Sequence, residues 1–207
     1  MSEARLAISR RALNGNHENN LNNTLISPMP TDEYIPVVIQ EFEGMKRLAD
    51  KAIAQLSPEQ FFAKPADTDN SIAVLVKHVS GNQRSRWTDF LSSDGEKLDR
   101  KRDGEFVILP EDSRERLLAK WEEGWALLFA ALKPLHSVEL SRTIRIRGEP
   151  LSVLQAINRQ LTHYAYHAGQ IVYLAKYLAG AKFNSLSIPL GQSEQFNRAP
   201  TSYLDRR

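Results

Sequence analysis

Residues 152–180 read SVLQAINRQLTHYAYHAGQIVYLAKYLAG. Apolar side chains recur every three or four residues along this stretch, which is the spacing that lines one face of an α-helix. Ser152 is a favourable N-cap residue and Gly180 a favourable helix terminator. The stretch therefore predicts one long amphipathic helix from Ser152 to about Ala179, whose apolar face must pack against other helices.

Three further stretches show the same helical spacing and predict long helices at 32–56, at 71–91, and from Asp112 or Ser113 to Pro134. Ser57 is placed to cap a short turn through Phe62. The charged segment 96–105 is interpreted as a solvated connection, and 143–147 as an extended segment too short to build a sheet. Four long helices with almost no strand signal predict an all-α fold, an antiparallel-type four-helix bundle.

The two ends of the chain differ from this helical pattern. Residues 1–30 are basic and then rich in asparagine, with few apolar side chains to bury, which predicts a flexible N-terminal arm. We assign residues 31–198 to the four-helix bundle domain and residues 199–207 to an irregular C-terminal tail.

Composition narrows the chemistry that the chain can perform. The 207 residues carry a net charge of +2 with mixed signs, so no basic face indicates a nucleic-acid partner. No apolar run approaches the roughly 18 residues of a membrane span, and the first 30 residues have no apolar signal core, so we predict a cytoplasmic protein without a membrane partner. Cysteine is absent, so thiolate ligands and cysteine nucleophiles are excluded, and any metal must rest on histidine or carboxylate side chains.

Histidines on two predicted helices form a candidate metal site. His163 and His167 are four positions apart, so their imidazoles project from adjacent turns of one helix face and can share an ion. A bare pair at this spacing is more often two surface or hydrogen-bonded histidines, and a third ligand is required. His78 on the predicted second helix is that candidate, because ligands on facing helices of a bundle converge on its core. Alone, it too would more often be structural.

Three other polar residues lie one turn from these histidines. Asn82 could contact substrate, Arg159 could bind an anionic substrate group, and Gln170 could orient a ligand. Each of them could equally be a surface residue or make helix–helix contacts. The aromatic residues at helical spacing are interpreted as core or dimer-interface residues; they are Trp87, Trp121, Trp125, Tyr164, Tyr166 and Tyr173.

Several separated motifs, in order, resemble one known superfamily. They are KHVSGNQRSRWTDFL at 77–91, SDGEK at 93–97, NRQLTHYAYHAGQI at 158–171, and SLSIP at 185–189 with the residues 191–197. Together they resemble the DinB-like, or YfiT-like, superfamily of proposed metal-dependent enzymes, and more narrowly a bacterial subfamily of unsettled function. The resemblance covers roughly residues 33–198.

The resemblance implies a four-helix bundle, often a homodimer, with a divalent ion such as zinc or nickel bound by three histidines. Carried over to this sequence, the ligands are His78, His163 and His167. Relatives in this superfamily include transferases that attach bacillithiol to electrophiles and isomerases that use a low-molecular-weight thiol.

Two enzymatic hypotheses and one of another class follow. The first is a thiol S-transferase in which the ion activates a thiol cofactor for a small electrophilic substrate. The second is a hydrolase that uses metal-bound water, although the Tyr-Ala-Tyr between the two histidines lacks the glutamate of His-Glu-x-x-His peptidases. The third is a non-catalytic, stress-related protein whose metal is structural or whose histidines bind no metal.

Overall fold

The computed structural model describes residues 33–198, and the predicted arm at 1–30 and tail at 199–207 lie outside the described residues. The helices and strands follow in the order α1 (Tyr34–Ile53), α2 (Pro58–Phe62), α3 (Ile72–Trp87), α4 (Arg114–Leu132), β1 (Thr143–Ile146), β2 (Glu149–Ser152), α5 (Val153–Ala179) and α6 (Ser193–Arg198). Short 3₁₀ helices occupy Arg102–Phe106, Ser137–Ser141 and Gly180–Lys182. The described chain is thus mostly helical, as the sequence predicted at the level of fold class.

Serine caps begin the helices where the sequence predicted them. The hydroxyl of Ser57 accepts a hydrogen bond from the amide of Gln60, and that of Ser113 accepts one from the amide of Arg116. Ser152 forms a reciprocal capping box with Gln155 at the start of α5. Gly180 follows the last residue of α5 with a φ of 56°, a backbone conformation that favours glycine.

The predicted second helix is shorter than its sequence pattern indicated. It ends at Trp87 rather than near Leu91, because Thr88 is extended and Asp89 has a φ of 50°. The amides of Ser92 and Ser93 then donate to the carbonyl of Asp89 and close a turn.

The prediction that 143–147 is too short to build a sheet was wrong. β1 pairs with β2 as an antiparallel hairpin, with Ile144 opposite Leu151. Its two-residue loop, Arg147 and Gly148, has φ values of 57° and 76°, which is the backbone of a type I′ turn. The carboxylate of Asp94 accepts a hydrogen bond from each of the two loop amides, both at 2.8 Å, and fastens the hairpin to the chain that follows α3.

The long helices enclose one apolar core. α1 packs mainly against α5, and α3 packs mainly against α4, with further contacts between α3 and α5 and between α1 and α4. Phe42 lies fully buried at the centre, with its ring 6.0–6.4 Å from those of Trp87, Trp125 and Tyr164. None of the helices within residues 33–198 combines the length and the apolar character that crossing a bilayer requires.

Candidate metal centre

Three histidines from two helices converge where α3 contacts α5. His78 comes from α3, and His163 and His167 come from α5. Each offers one ring nitrogen, and these three atoms all lie within 4.8 Å of one another. Among the described residues, this is the group of histidine, aspartate or glutamate side chains whose arrangement suits a metal ion. The structure therefore brings together the three residues that the sequence singled out.

The two histidines of α5 face each other closely. Their Nε2 atoms are 3.0 Å apart, and their ring centroids are 4.7 Å apart. Two nitrogens that each bind a tetrahedral zinc ion at about 2.0 Å are about 3.3 Å apart. The observed spacing is close to what a shared ion requires.

The ring of His78 is held from behind by a carboxylate. Its Nδ1 lies 2.8 Å from Oε2 of Glu105. An ionised carboxylate only accepts hydrogen bonds, so Nδ1 must carry the proton. The other ring nitrogen, Nε2, is then left with a free lone pair for a metal. The ring of Phe106 packs against the His78 ring at a centroid distance of 4.8 Å.

Glu105 is a site residue that the sequence analysis missed, because 96–105 was interpreted as solvated. That interpretation was wrong for two of its charged residues: the side chains of Arg100 and Glu105 are only 5% and 9% exposed. Arg100 binds both carboxylate oxygens of Glu105 and also contacts Glu96, at 3.1 Å. These charges are buried because they pair with one another, and the sequence carries no signal that distinguishes paired charges from solvated ones.

His167 is held in the same way by a residue that the sequence did single out. Oε1 of Gln170 lies 2.8 Å from Nδ1 of His167 and accepts its proton in a hydrogen bond. The Nε2 atom of His167 is again the nitrogen that faces the site. Gln170 thus lies where a residue that orients a ligand would lie.

The environment keeps the imidazoles of α5 neutral. Burial, and then the nearby His167 and His78, lower the pKa of His163 from 6.5 to about 3. Burial also lowers the pKa of His167, although the hydrogen bond to Gln170 opposes this. Burial raises the pKa of Glu105, but hydrogen bonds from His78 and Arg100 outweigh that effect and leave the pKa below its ordinary value. Neutral imidazoles near a carboxylate are competent metal ligands at neutral pH.

The other two candidates make their contacts with residues other than the three histidines. Asn82 is buried, and its Oδ1 accepts a 2.9 Å hydrogen bond from the hydroxyl of Tyr164, which in turn accepts one from Trp87 Nε1. It therefore belongs to a polar chain inside the core. Arg159 is about half exposed and lies 3.5 Å from the carboxylate of Glu149.

The donor set fits a divalent metal ion. Imidazole nitrogens suit zinc and nickel. Both Glu105 and Gln170 hold a histidine by Nδ1, which is the arrangement seen where protein groups orient metal-ligating histidines. His163 is partly buried, whereas His78 and His167 are buried, so His163 is the most exposed of the three ligands.

Comparison with known families finds one matching family. Residues 30–192 match the family described as protein of unknown function (DUF1572), so the chain belongs to that family. The family is part of the DinB/YfiT-like clan, the group that the sequence motifs resembled. A search of curated proteins found no match.

Proposed function

We propose that the chain is a metal-dependent enzyme in which His78, His163 and His167 hold one divalent ion, zinc or nickel. The observation that carries the proposal is the convergence of three imidazoles, two of which are oriented through Nδ1 by neighbouring side chains. When bound, a divalent ion supplies Lewis acidity, which favours the deprotonated form of a thiol or of a water molecule at neutral pH.

The fold that we propose for this site is a four-helix bundle formed by α1, α3, α4 and α5. The packing of α1 on α5 and of α3 on α4, with α3 also touching α5, supports it. In such a bundle the ligands on α3 and α5 come from facing helices. Three protein ligands leave coordination positions open for reactants.

We propose that the reaction is transfer of a low-molecular-weight thiol to a small electrophile. The resemblance to thiol-dependent transferases supports the thiol, and the lack of a glutamate between His163 and His167 argues against peptide hydrolysis. The thiol sulfur forms a bond to an electrophilic carbon, the leaving group departs with its bonding electrons, and the thiol proton passes to solvent. Both reactants can approach beside His163, the ligand that is only partly buried.

Metal content is the first test. Tag-free protein is analysed for its elements beside the His78→Ala variant. We expect about one divalent ion per wild-type chain and loss of that ion in the variant, because two imidazoles alone hold zinc weakly. A wild-type protein that takes up neither zinc nor nickel after soaking would contradict the proposal and favour a non-catalytic protein.

Activity is the second test. Loaded protein is incubated with a chromogenic aryl chloride and a panel of low-molecular-weight thiols. We expect the aryl chloride to be consumed only when a thiol is present, and its consumption to stop when a chelator is added. Turnover of nitrophenyl esters without thiol would instead favour a hydrolase that uses metal-bound water. Unfolding on chelation, with no turnover of either substrate, would favour a structural metal.

We also propose that the protein is a homodimer that acts on a small molecule. Tyr166, Tyr173 and Tyr177 are 63%, 77% and 64% exposed and follow one another along one side of α5. Exposed aromatic residues are enriched at protein interfaces, and this row supports a dimer contact. Sedimentation equilibrium of wild type and of Tyr173→Lys tests it: we expect a dimer for wild type and a monomer for the variant. The cytoplasmic location stays a prediction.

A further inference from the structure

Glu105 contacts Nδ1 of His78 at a position where α3 carries no side chain. The residue at that position is Gly81, and a Cβ atom there would overlap the Glu105 carboxyl group. Glu105 itself comes from the 3₁₀ helix Arg102–Phe106, in the segment between α3 and α4. A glycine on the helix therefore allows a distant carboxylate to lie beside a helical histidine.

The carboxylate of Glu105 has little freedom to turn away. Nε of Arg100 donates to Oε1 at 2.8 Å, and Nη2 donates to Oε2 at 2.9 Å, so the guanidinium grips both oxygens. Arg100 is fixed in turn by Glu96, which also accepts a 2.7 Å hydrogen bond from Arg86. Bidentate pairs of this kind fix geometry as well as charge.

We propose that Glu105 is a positioning residue of the metal centre. Through its hydrogen bond it keeps the proton of His78 on Nδ1 and turns Nε2 toward His163 and His167. The tautomer of a neutral histidine follows the hydrogen bond made by one ring nitrogen, which leaves the other nitrogen for the metal. This inference rests on the proposed metal site.

A second ion pair in the same region provides a matched control. Lys77, the neighbour of His78 in sequence, lies 2.5 Å from Asp112, whose side chain is 2% exposed. Asp112 also accepts a hydrogen bond from the amide of Leu109, so it fastens the same connecting segment to α3. The partners that the structure gives to Asp112 are Lys77, Lys120 and Leu109, none of which is a histidine.

The first experiment reads the tautomer directly. Metal-free protein with ¹⁵N-labelled histidine is studied by NMR, which distinguishes protonated from unprotonated ring nitrogens. We expect Nδ1–H for His78 in wild type and in Asp112→Asn, and a shift toward Nε2–H in Glu105→Ala. Glu105→Gln keeps an acceptor oxygen and should keep the wild-type tautomer.

The second experiment measures zinc affinity by competition with a chromogenic chelator. We expect Glu105→Ala to bind zinc about 10- to 100-fold more weakly than wild type, the usual effect of losing a residue that orients a ligand. Glu105→Gln should lie between the two, and Asp112→Asn should stay within about threefold of wild type.

The outcomes separate this inference from the proposed function. A Glu105→Ala protein with the wild-type tautomer and affinity overturns the positioning role, and so does an equal loss in Asp112→Asn. If Glu105→Ala does not fold, Glu105→Gln decides: a zinc affinity below that of wild type, with Asp112→Asn normal, supports the role, and an affinity equal to that of wild type overturns it. Failure of wild type to bind either zinc or nickel overturns the proposed function instead, while the tautomer is still measured in metal-free protein.

Discussion

The Nε2 atoms of His163 and His167 lie 3.0 Å apart across one turn of α5, and Nδ1 of His167 already donates to Gln170. Without a metal, one of the two Nε2 atoms must carry a proton, because two facing lone pairs repel. His167 has its proton on Nδ1, so His163 is the donor. The two imidazoles are therefore neutral and close together, and a metal ion that binds both Nε2 atoms would displace the proton that lies between them.

This neutral state predicts a pH-dependent stability for the metal-free protein. The pKa of His163 is about 3 in the folded protein and about 6.5 when the chain is unfolded. Between these pH values the unfolded chain binds more protons, so the free energy of unfolding falls as the pH is lowered through 6.5. Urea unfolding at about pH 7.5 and about pH 5 should reveal this loss, and His163→Gln should lose less. Equal losses in the two proteins would contradict the lowered pKa.

Substitution by alanine should weaken zinc binding at one helical glycine and stabilise the protein at another. Gly81→Ala places a Cβ into the Glu105 carboxyl group, so we expect zinc affinity to fall about tenfold or more as Glu105 leaves His78. Gly169→Ala meets no atom within 4 Å and should stabilise α5 by about 0.5–1 kcal/mol. Zinc competition and thermal unfolding measure the two effects. Unchanged zinc affinity in Gly81→Ala would mean that Glu105 can hold His78 even when residue 81 carries a side chain.

The two outer candidates on α5 should also differ. Gln170→Ala removes the acceptor that holds Nδ1 of His167, so we expect zinc to bind about tenfold more weakly or worse. Arg159→Ala removes a half-exposed side chain that contacts Glu149, and its affinity should match wild type. The same chelator competition tests both. A loss in Arg159→Ala equal to that in Gln170→Ala would show that helix stability, not ligand orientation, governs binding.

The buried hydroxyl of Tyr164 is expected to matter for stability alone. Tyr164→Phe leaves Asn82 Oδ1 and Trp87 Nε1 without their shared partner inside the core, which should cost about 1–3 kcal/mol of unfolding free energy. Tyr173→Phe keeps the ring of the proposed dimer contact and removes only a hydroxyl from a side chain that is 77% exposed in the single chain, so it should stay within about 0.5 kcal/mol of wild type. Urea unfolding measures the difference. If Tyr164→Phe also lost zinc, Asn82 and its hydrogen bond to Tyr164 would instead be assigned a role in the metal centre.

Much of the helical framework could be predicted from the sequence because its signals are local. Ser57, Ser113 and Ser152 begin helices as expected, since a cap depends on a hydroxyl and an amide three residues apart. The pairing of His163 with His167 is equally local, because one helical turn fixes it. The hairpin and the early end of α3 were missed, because they depend on Asp94 and Asp89 making contacts that a periodic pattern does not encode.

The sequence by itself determined the helical class, most helix starts, and the three histidines that the structure brings together. Only the tertiary structure decided which residue holds His78 in place. Glu105 is separated from His78 by 27 positions in the sequence, and its buried carboxylate contacts both His78 and Arg100. The cause is physical. A charged side chain tolerates burial only where another part of the chain supplies its partners, and whether those partners meet is a property of the folded chain, not of local spacing.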